Sequence, residues 1–367
     1  MKNVNLQDDQ DPLLDAMYES HLAGPKIYHA SLFWEKLNRL NIEWLHNDGL
    51  QNFKRTVNNN YFNWMVSARS AYFRTVVGRY LRASWRSPRR IWQILCVDIN
   101  DMWHRTYVSH SNKGTVFQRR LYALYVLALD QYVRDTDEYG LYSDLNEPRL
   151  GNPLSICLGE RLVSQDLANS YLEYGFLRKS LGKEFESVRV IGEIGVGYGR
   201  LTYLLHLLRQ GVTRKLILID LPPALMVSQW YLRSIFPNAK RMEFRSFGHF
   251  DEIREDFERA EICFLLPHQL ELLPEKSLDL LINISSLQEM SRDQINHYYD
   301  LIDRKAKIDD KCVLMEHPLG IGGWHESMRF GDNCSKIIRR DDFERKHRHS
   351  IAELRQVISI KKVDQWK

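Results

Sequence analysis

The chain has 367 residues, of which 44% are hydrophobic and 27% charged, and its formal net charge is +4 with a pI near 8.6. That is an ordinary globular composition with no apolar run long enough to span a bilayer, and the length implies two domains or one with a large extension. The charge is too mild to point to a polyanion, so neither a transmembrane segment nor a nucleic-acid partner is expected.

The first residues, Met1 to Asp9, are polar and acidic and do not read as a signal peptide. From about Pro25 to Asp144 the chain is rich in aromatics and arginine and short of glycine. Leu32-Phe33-Trp34, Leu37 and Leu40, and later Leu121 to Leu129, show the three- and four-residue apolar spacing of helices. Phe53-Lys54-Arg55-Thr56 is followed by a basic run at Arg69, Arg74, Arg79, Arg82, Arg86, Arg89 and Arg90. Most of these arginines read as a solvated face, but Lys54 and Arg55 are candidates for holding an acceptor, for instance a phosphorylated one. Pro148, Gly151 and Pro153 mark a break before a helix expected over Gln165 to Leu181. The reading is therefore a helical N-terminal or cap domain over 1–164 and a second domain over 165–367.

The second domain opens with Arg189-Val190-Ile191-Gly192-Glu193-Ile194-Gly195-Val196-Gly197-Tyr198-Gly199. An apolar strand runs into glycines at alternate positions, and a helix with Leu201, Leu204, Leu205 and Leu208 on one face follows. Such a turn lets the backbone approach a ligand closely. A dinucleotide fingerprint needs Gly-x-Gly-x-x-Gly, but counting from Gly195 its third glycine falls on Arg200, and no P-loop Lys follows. Lys215 to Asp220 reads as a strand ending in a carboxylate placed for ribose hydroxyls, with a helix from Ala224 to Ile235 behind it. Ile262 to Leu266, Leu278 to Asn283 and Cys312 to Glu316 are three more apolar strands, the last after a polar helix from about Arg292 to Ala306. This alternation predicts an α/β fold, a mainly parallel sheet with ligands at its carboxyl ends.

The Glu-x-Gly-x-Gly-x-Gly spacing resembles the first motif of the S-adenosylmethionine-dependent methyltransferases, with Val196 standing where a third small residue is expected. Asp279-Leu280-Leu281-Ile282-Asn283-Ile284-Ser285-Ser286-Leu287-Gln288-Glu289-Met290 resembles the fourth-strand motif of the sugar O-methyltransferases, a bacterial family associated with surface polysaccharide genes. Phe53-Lys54-Arg55-Thr56 with Asn60-Tyr61-Phe62, Gly151-Asn152-Pro153, and Asp220-Leu221-Pro222 with Tyr231-Leu232 are similar to further signatures of that family. The resemblance implies a Rossmann-like class I methyltransferase sheet with an N-terminal helical domain. It also implies S-adenosylmethionine as cofactor, held by Glu193, Gly195, Gly197, Tyr198, Gly199, Asp220, Leu221, His268 and Ser285. The acceptor it implies is a sugar hydroxyl, free, nucleotide-linked or lipid-linked.

Such a hydroxyl is a poor acid, so a general base is expected at the carboxyl ends of the strands. Glu289 is the first candidate and a capping carboxylate is an equal reading of it; His317 is the second, and a buried histidine beside Pro318 is an equal reading of that. His325, in Gly322-Gly323-Trp324-His325-Glu326, is a candidate acceptor contact on a glycine-rich loop. No HxxxH or paired-Asp spacing accompanies Glu289, Glu316 and His317, so no metal site is expected. The five cysteines are scattered without CxxC spacing, as in a reduced cytoplasmic protein. A nucleic-acid methyltransferase and a catalytically silent module of the same fold are the alternatives; against the first, Asn283-Ile284-Ser285-Ser286 lacks an Asn/Asp-Pro-Pro-Tyr/Phe motif.

Overall fold

The computed structural model describes residues 10–61, 71–85, 87–99, 102–105, 112–209, 211–284, 286, 290–305, 312–316 and 336–338. Helices dominate the first part: α1 (Gln10–Ala23), α2 (Leu32–Asp48), α3 (Asn58–Tyr61), α4 (Ala71–Ser84), α5 (Pro88–Cys96) and α6 (Val116–Thr136). Their starts follow local capping chemistry. Ser31 accepts the Trp34 N–H, Ser87 accepts the Arg90 N–H ahead of Pro88, and Thr115 with Gln118 forms a reciprocal capping box at α6. Two short antiparallel ladders accompany them, β1 (Trp103–His104) with β2 (Asn112–Lys113) and β3 (Ser155–Leu158) with β4 (Arg161–Ser164). Ser164 then caps α7 (Gln165–Leu181), which spans the residues expected from the sequence.

Beyond it lies the α/β alternation: β5 (Val190–Ile194), α8 (Arg200–Leu207), β6 (Lys215–Ile219), α9 (Pro222–Ile235), β7 (Arg241–Met242), α10 (Arg254–Arg259), β8 (Ile262–Leu265), β9 (Leu280–Ile284), α11 (Arg292–Lys305), β10 (Cys312–Glu316) and β11 (Lys336–Ile338). The seven-stranded sheet has the order β11-β10-β9-β5-β6-β8-β7. Every pairing is parallel except β10–β11. This is a Rossmann-like α/β sheet with a helical N-terminal region.

Strand side chains alternate between two buried clusters, as the two-residue period requires. Leu216, Leu218, Ile262, Phe264, Leu280 and Ile282 face one way, toward α7, α8 and α9. Ile217, Ile219, Cys263, Leu265 and Leu281 face the other, where Phe257 of α10 and Tyr298, Leu301 and Ile302 of α11 close the layer. The first cluster continues without a break into Met17 of α1, Val76 of α4 and Val126 and Leu129 of α6. The helical part thus shares one core with one face of the sheet.

Candidate functional site

Strand order locates the crevice. From β5 the chain moves outward to β6 and β8, then returns across β5 to lay down β9 and β10. The connections after β5 and β9 therefore leave in opposite directions, and an open α/β sheet binds ligands at the carboxyl ends flanking such a reversal. The glycine turn lies at that place. Gly195, Gly197 and Gly199 all have positive φ, at 77°, 57° and 82°, a region costly for any residue with a Cβ. Gly195 also has no room: a Cβ there would lie 2.4 Å from Ser286 Oγ. Ser286 Oγ in turn donates to Ile194 O (3.2 Å), and Asn283 Nδ2 donates to the same carbonyl (2.9 Å) and to Ser286 Oγ. The end of β9 thus clamps the end of β5.

A comparison of two glycines isolates this packing. Gly211 has φ +79° and nothing within 4 Å of a built Cβ, so Gly211→Ala is expected to cost about 1–2 kcal/mol of backbone strain alone. Gly195→Ala adds a collision with Ser286 and is expected to cost about 1–3 kcal/mol more. Urea midpoints of the two variants check this, and equal losses would refute the clamp.

Asp220 stands one residue past β6, beside the glycine turn. Its Oδ2 accepts the Gly197 N–H (2.8 Å) and its Oδ1 the Leu221 N–H (2.7 Å). Burial lifts its pKa to about 7, while the backbone N–H groups of Gly197, Leu221 and Val196 pull it down. The residue nonetheless keeps partial exposure, as does Leu221. A carboxylate has about four acceptor positions, so one or two remain for hydroxyl donors. Pro222 and Pro223 then start α9 with φ already set.

Glu193 lies deeper, 5% exposed behind the turn, where its Oε2 accepts the Thr202 hydroxyl (2.9 Å). It ties β5 to the first turn of α8. Burial raises its pKa to about 8, whereas an unfolded Glu ionises near 4.3. Between those values the folded chain holds a proton the unfolded chain has released, so stability falls as pH rises from about 4 to about 8. Glu193→Gln has no proton to release and is expected to gain on the wild type across that window. Urea midpoints that stay parallel from pH 5 to pH 8 would contradict this.

Three other expected site residues are engaged by partners within the protein. Tyr198 is 2% exposed and its hydroxyl donates to Asp166 Oδ2 (3.2 Å). Lys54 Nζ donates to Glu147 Oε1 and to Tyr231 OH (3.4 Å), and it lies 4.7 Å from the Tyr231 ring centre and 5.1 Å from that of Tyr198. Arg55 Nε donates to Asn152 O (2.9 Å), with its guanidinium 5.5 Å from the Trp103 ring centre. Lys54 and Arg55 are both buried and engaged with partners inside the seam between the helical part, the glycine turn and α9. Phe53 completes that seam against Tyr198, Trp230 and Tyr231. Gly151, at φ +84°, fits under the Phe53 ring, and its carbonyl accepts the Lys54 N–H (2.9 Å).

His268 follows β8 and faces the N-terminal segment. A Cβ on Gly24 would lie 2.9 Å from its ring, and burial lowers its pKa. The segment at Gly24–His29 crosses beside it. Gln294 Nε2 of α11 donates to Ile27 O (3.0 Å) and His29 O (2.9 Å), and Tyr28 OH meets His297 Nε2 (2.7 Å). Tyr28 also packs edge-on against Tyr298, whose hydroxyl feels the charge of Asp220. The segment therefore borders the residues that follow β6, β8 and β9.

Glu289, Ser285, His317 and His325 lie outside the described residues. Sequence reasoning passed over Asn283, Ser286, Asp166, Arg200 and the Gly24–His29 segment. The Asn-x-x-Ser spacing across the end of an apolar strand is a usable signal for the clamp. Among the described residues no group of three or more His, Cys, Asp or Glu side chains could hold a metal ion.

No family model matches the chain, and no curated protein matches it in sequence. Among solved structures it is similar to the PH0226 protein of Pyrococcus horikoshii OT3, at 16% identity over 40% of this chain and 58% of that one, with a TM-score of 0.27. It is similar to the mitomycin 7-O-methyltransferase MmcR, at 16% identity over 42% and 39% with a TM-score of 0.29. A third is human N-acetylserotonin methyltransferase in complex with SAM, at 16% over 42% and 37% with a TM-score of 0.27. The chain spans less than two thirds of each of them. At such scores the likeness carries no argument, and the fold assignment stands on strand order and register.

Proposed function

We propose that the chain is an S-adenosylmethionine-dependent methyltransferase, and that it methylates a sugar hydroxyl of a bacterial surface glycan or its precursor. The observation that carries the first half is the crevice at the end of β5. Three left-handed glycines bare the backbone there, and Asp220 stands one strand away with acceptor capacity to spare. The residues fit the cofactor: the bare turn leaves room for its methionine part, and Asp220 suits the two ribose hydroxyls. When bound, S-adenosylmethionine would supply a methyl group activated by its sulfonium, which an acceptor hydroxyl oxygen would take with neutral S-adenosylhomocysteine as the leaving group.

This chain's residues then have two tasks, alignment and removal of one proton. The clamp of Asn283 and Ser286 on Ile194 O fixes the turn before any ligand arrives. Glu289 or His317 takes the acceptor proton, His325 contacts the acceptor, and the helices of 1–164 cover it. The resemblance of the Ser285–Met290 stretch to the sugar O-methyltransferases supports a sugar acceptor. No described helix is long and apolar enough to cross a membrane. Cys96, Cys157 and Cys263 are free thiols, and we read the site of action as a reducing, cytoplasmic one.

The test is transfer of isotope-labelled methyl from S-adenosylmethionine to bacterial glycans and nucleotide sugars, with oligonucleotides as the control acceptor. Label on a sugar oxygen is the expected result. Label on oligonucleotides alone would overturn the sugar reading and leave the cofactor reading standing.

A further inference from the structure

Helix α5 has no buried residue, although four of its nine residues are large apolar ones or tryptophan. Ile91, Trp92 and Leu95 are 42%, 66% and 67% exposed, and positions i, i+1 and i+4 share one side of a helix. Ile94 alone of the four leans on the core. The Arg120 guanidinium donates to Leu95 O (3.0 Å) and Val97 O (2.9 Å), which holds the start of α6 against the end of α5. That start exposes Val116 and Phe117, and the end of α4 adds Leu81 and Trp85. Single exposed apolar residues are common, but seven of them gathered on three helix ends, two of these ends tied together by Arg120, mark an interaction surface.

The charge along α4 and α5 is of one sign, and Asp98, just past α5, is paired with Arg119 at the start of α6 (2.9 Å). Between Ala71 and Val97 the sequence carries Arg74, Arg79, Arg82, Arg86, Arg89 and Arg90 and not one Asp or Glu. Arg74, Arg79, Arg82 and Arg89 are exposed. Two copies of the chain meeting here would set these arginines against each other, a repulsive arrangement. Nucleic acid would match the charge but has no use for Ile91, Leu95 and Val116. An anionic bilayer surface meets both needs: apolar side chains enter the acyl boundary, tryptophans sit at headgroup level, and arginines meet lipid phosphates.

We propose that α5, with the adjoining ends of α4 and α6, seats on an anionic membrane surface. The inference does not depend on the reaction catalysed at the β5 crevice. Flotation of the full chain with vesicles tests it. Binding is expected to phosphatidylglycerol vesicles and not to phosphatidylcholine vesicles, and it weakens as salt is raised. Trp92→Ser with Leu95→Ser is expected to abolish flotation, and Arg89→Gln to weaken it roughly fivefold. All three positions are exposed, so the thermal midpoints stay at the wild-type value. Absence of flotation with phosphatidylglycerol at low salt would overturn the proposal. So would flotation unchanged in the Trp92→Ser, Leu95→Ser variant, or a dimer in light scattering that this variant disperses.

Discussion

Asp220→Ala is expected to weaken S-adenosylhomocysteine binding by about a hundredfold or more while leaving the chain folded. Two charge-assisted hydrogen bonds to ribose would be lost, at about 1.5–3 kcal/mol each, and each tenfold in affinity is about 1.4 kcal/mol. The same carboxylate holds the Gly197 and Leu221 N–H groups, so the turn also loses its anchor. Asp220→Asn keeps an acceptor for one of these and separates the two effects. The pKa near 7 adds a signature. Hydroxyl donors favour the ionised carboxylate, so wild-type affinity rises as pH passes upward through 7, whereas that of Asp220→Asn stays flat. Calorimetric titration from pH 6 to pH 8 reads both. Alanine binding within threefold of the wild type would remove Asp220 from the site.

The second large effect concerns the pair Arg200–Glu173. The Arg200 guanidinium donates through both terminal nitrogens to Glu173 (2.6 Å and 2.6 Å) and through one of them to Ser170 Oγ (2.9 Å). Both residues are buried, so this link joins the first residue of α8, directly after the glycine turn, to α7. Glu173→Ala strips a buried cation of its bidentate partner and is expected to cost about 3–5 kcal/mol. Arg200→Met with Glu173→Leu removes both charges and is expected to recover most of that loss, because apolar side chains of similar volume often replace a buried pair without penalty. Urea unfolding of the two variants decides, and a cost below about 1 kcal/mol for Glu173→Ala would contradict a structural role for the pair.

Local patterns carried much of this fold. The glycine turn, the strand ending before Asp220 and the helices expected at Gln165, Ala224 and Arg292 are runs whose periodicity and punctuation lie within a few residues of each other; the second of these helices starts two residues earlier, at Pro222. The expected strand at Leu278 begins at Leu280 instead, because the Asp279 carboxylate accepts the Arg189 and Val190 N–H groups (2.8 Å each) and so caps the start of β5. The β3–β4 hairpin was readable in principle from Gly159-Glu160, a two-residue turn with Gly first. The edge strands β7 and β11, two and three residues long, are too short to show a period. Helix α1 shows little periodicity in sequence, because Leu13, Leu14 and Met17 are set among polar and acidic residues.

Long-range pairing was not legible. Lys54 meets Glu147 across 93 residues and Gln294 meets Ile27 across 267, and no local pattern encodes either. The signature-like stretches at Phe53–Thr56, Gly151–Pro153 and Tyr231 are far apart in sequence and are neighbours in one seam. A sequence displays the charge of Lys54 and Arg55 but not their partners Glu147 and Asn152, which lie 93 and 97 residues away. The glycines and Asp220, by contrast, meet at the crevice as their spacing implied.

The measurement that bears most directly on the cofactor is titration of the wild-type chain with S-adenosylhomocysteine, with NAD as the control ligand. Saturable micromolar binding of S-adenosylhomocysteine with no heat from NAD is the predicted result. Binding of NAD, or of neither ligand to the folded chain, would contradict the assignment of the β5 crevice.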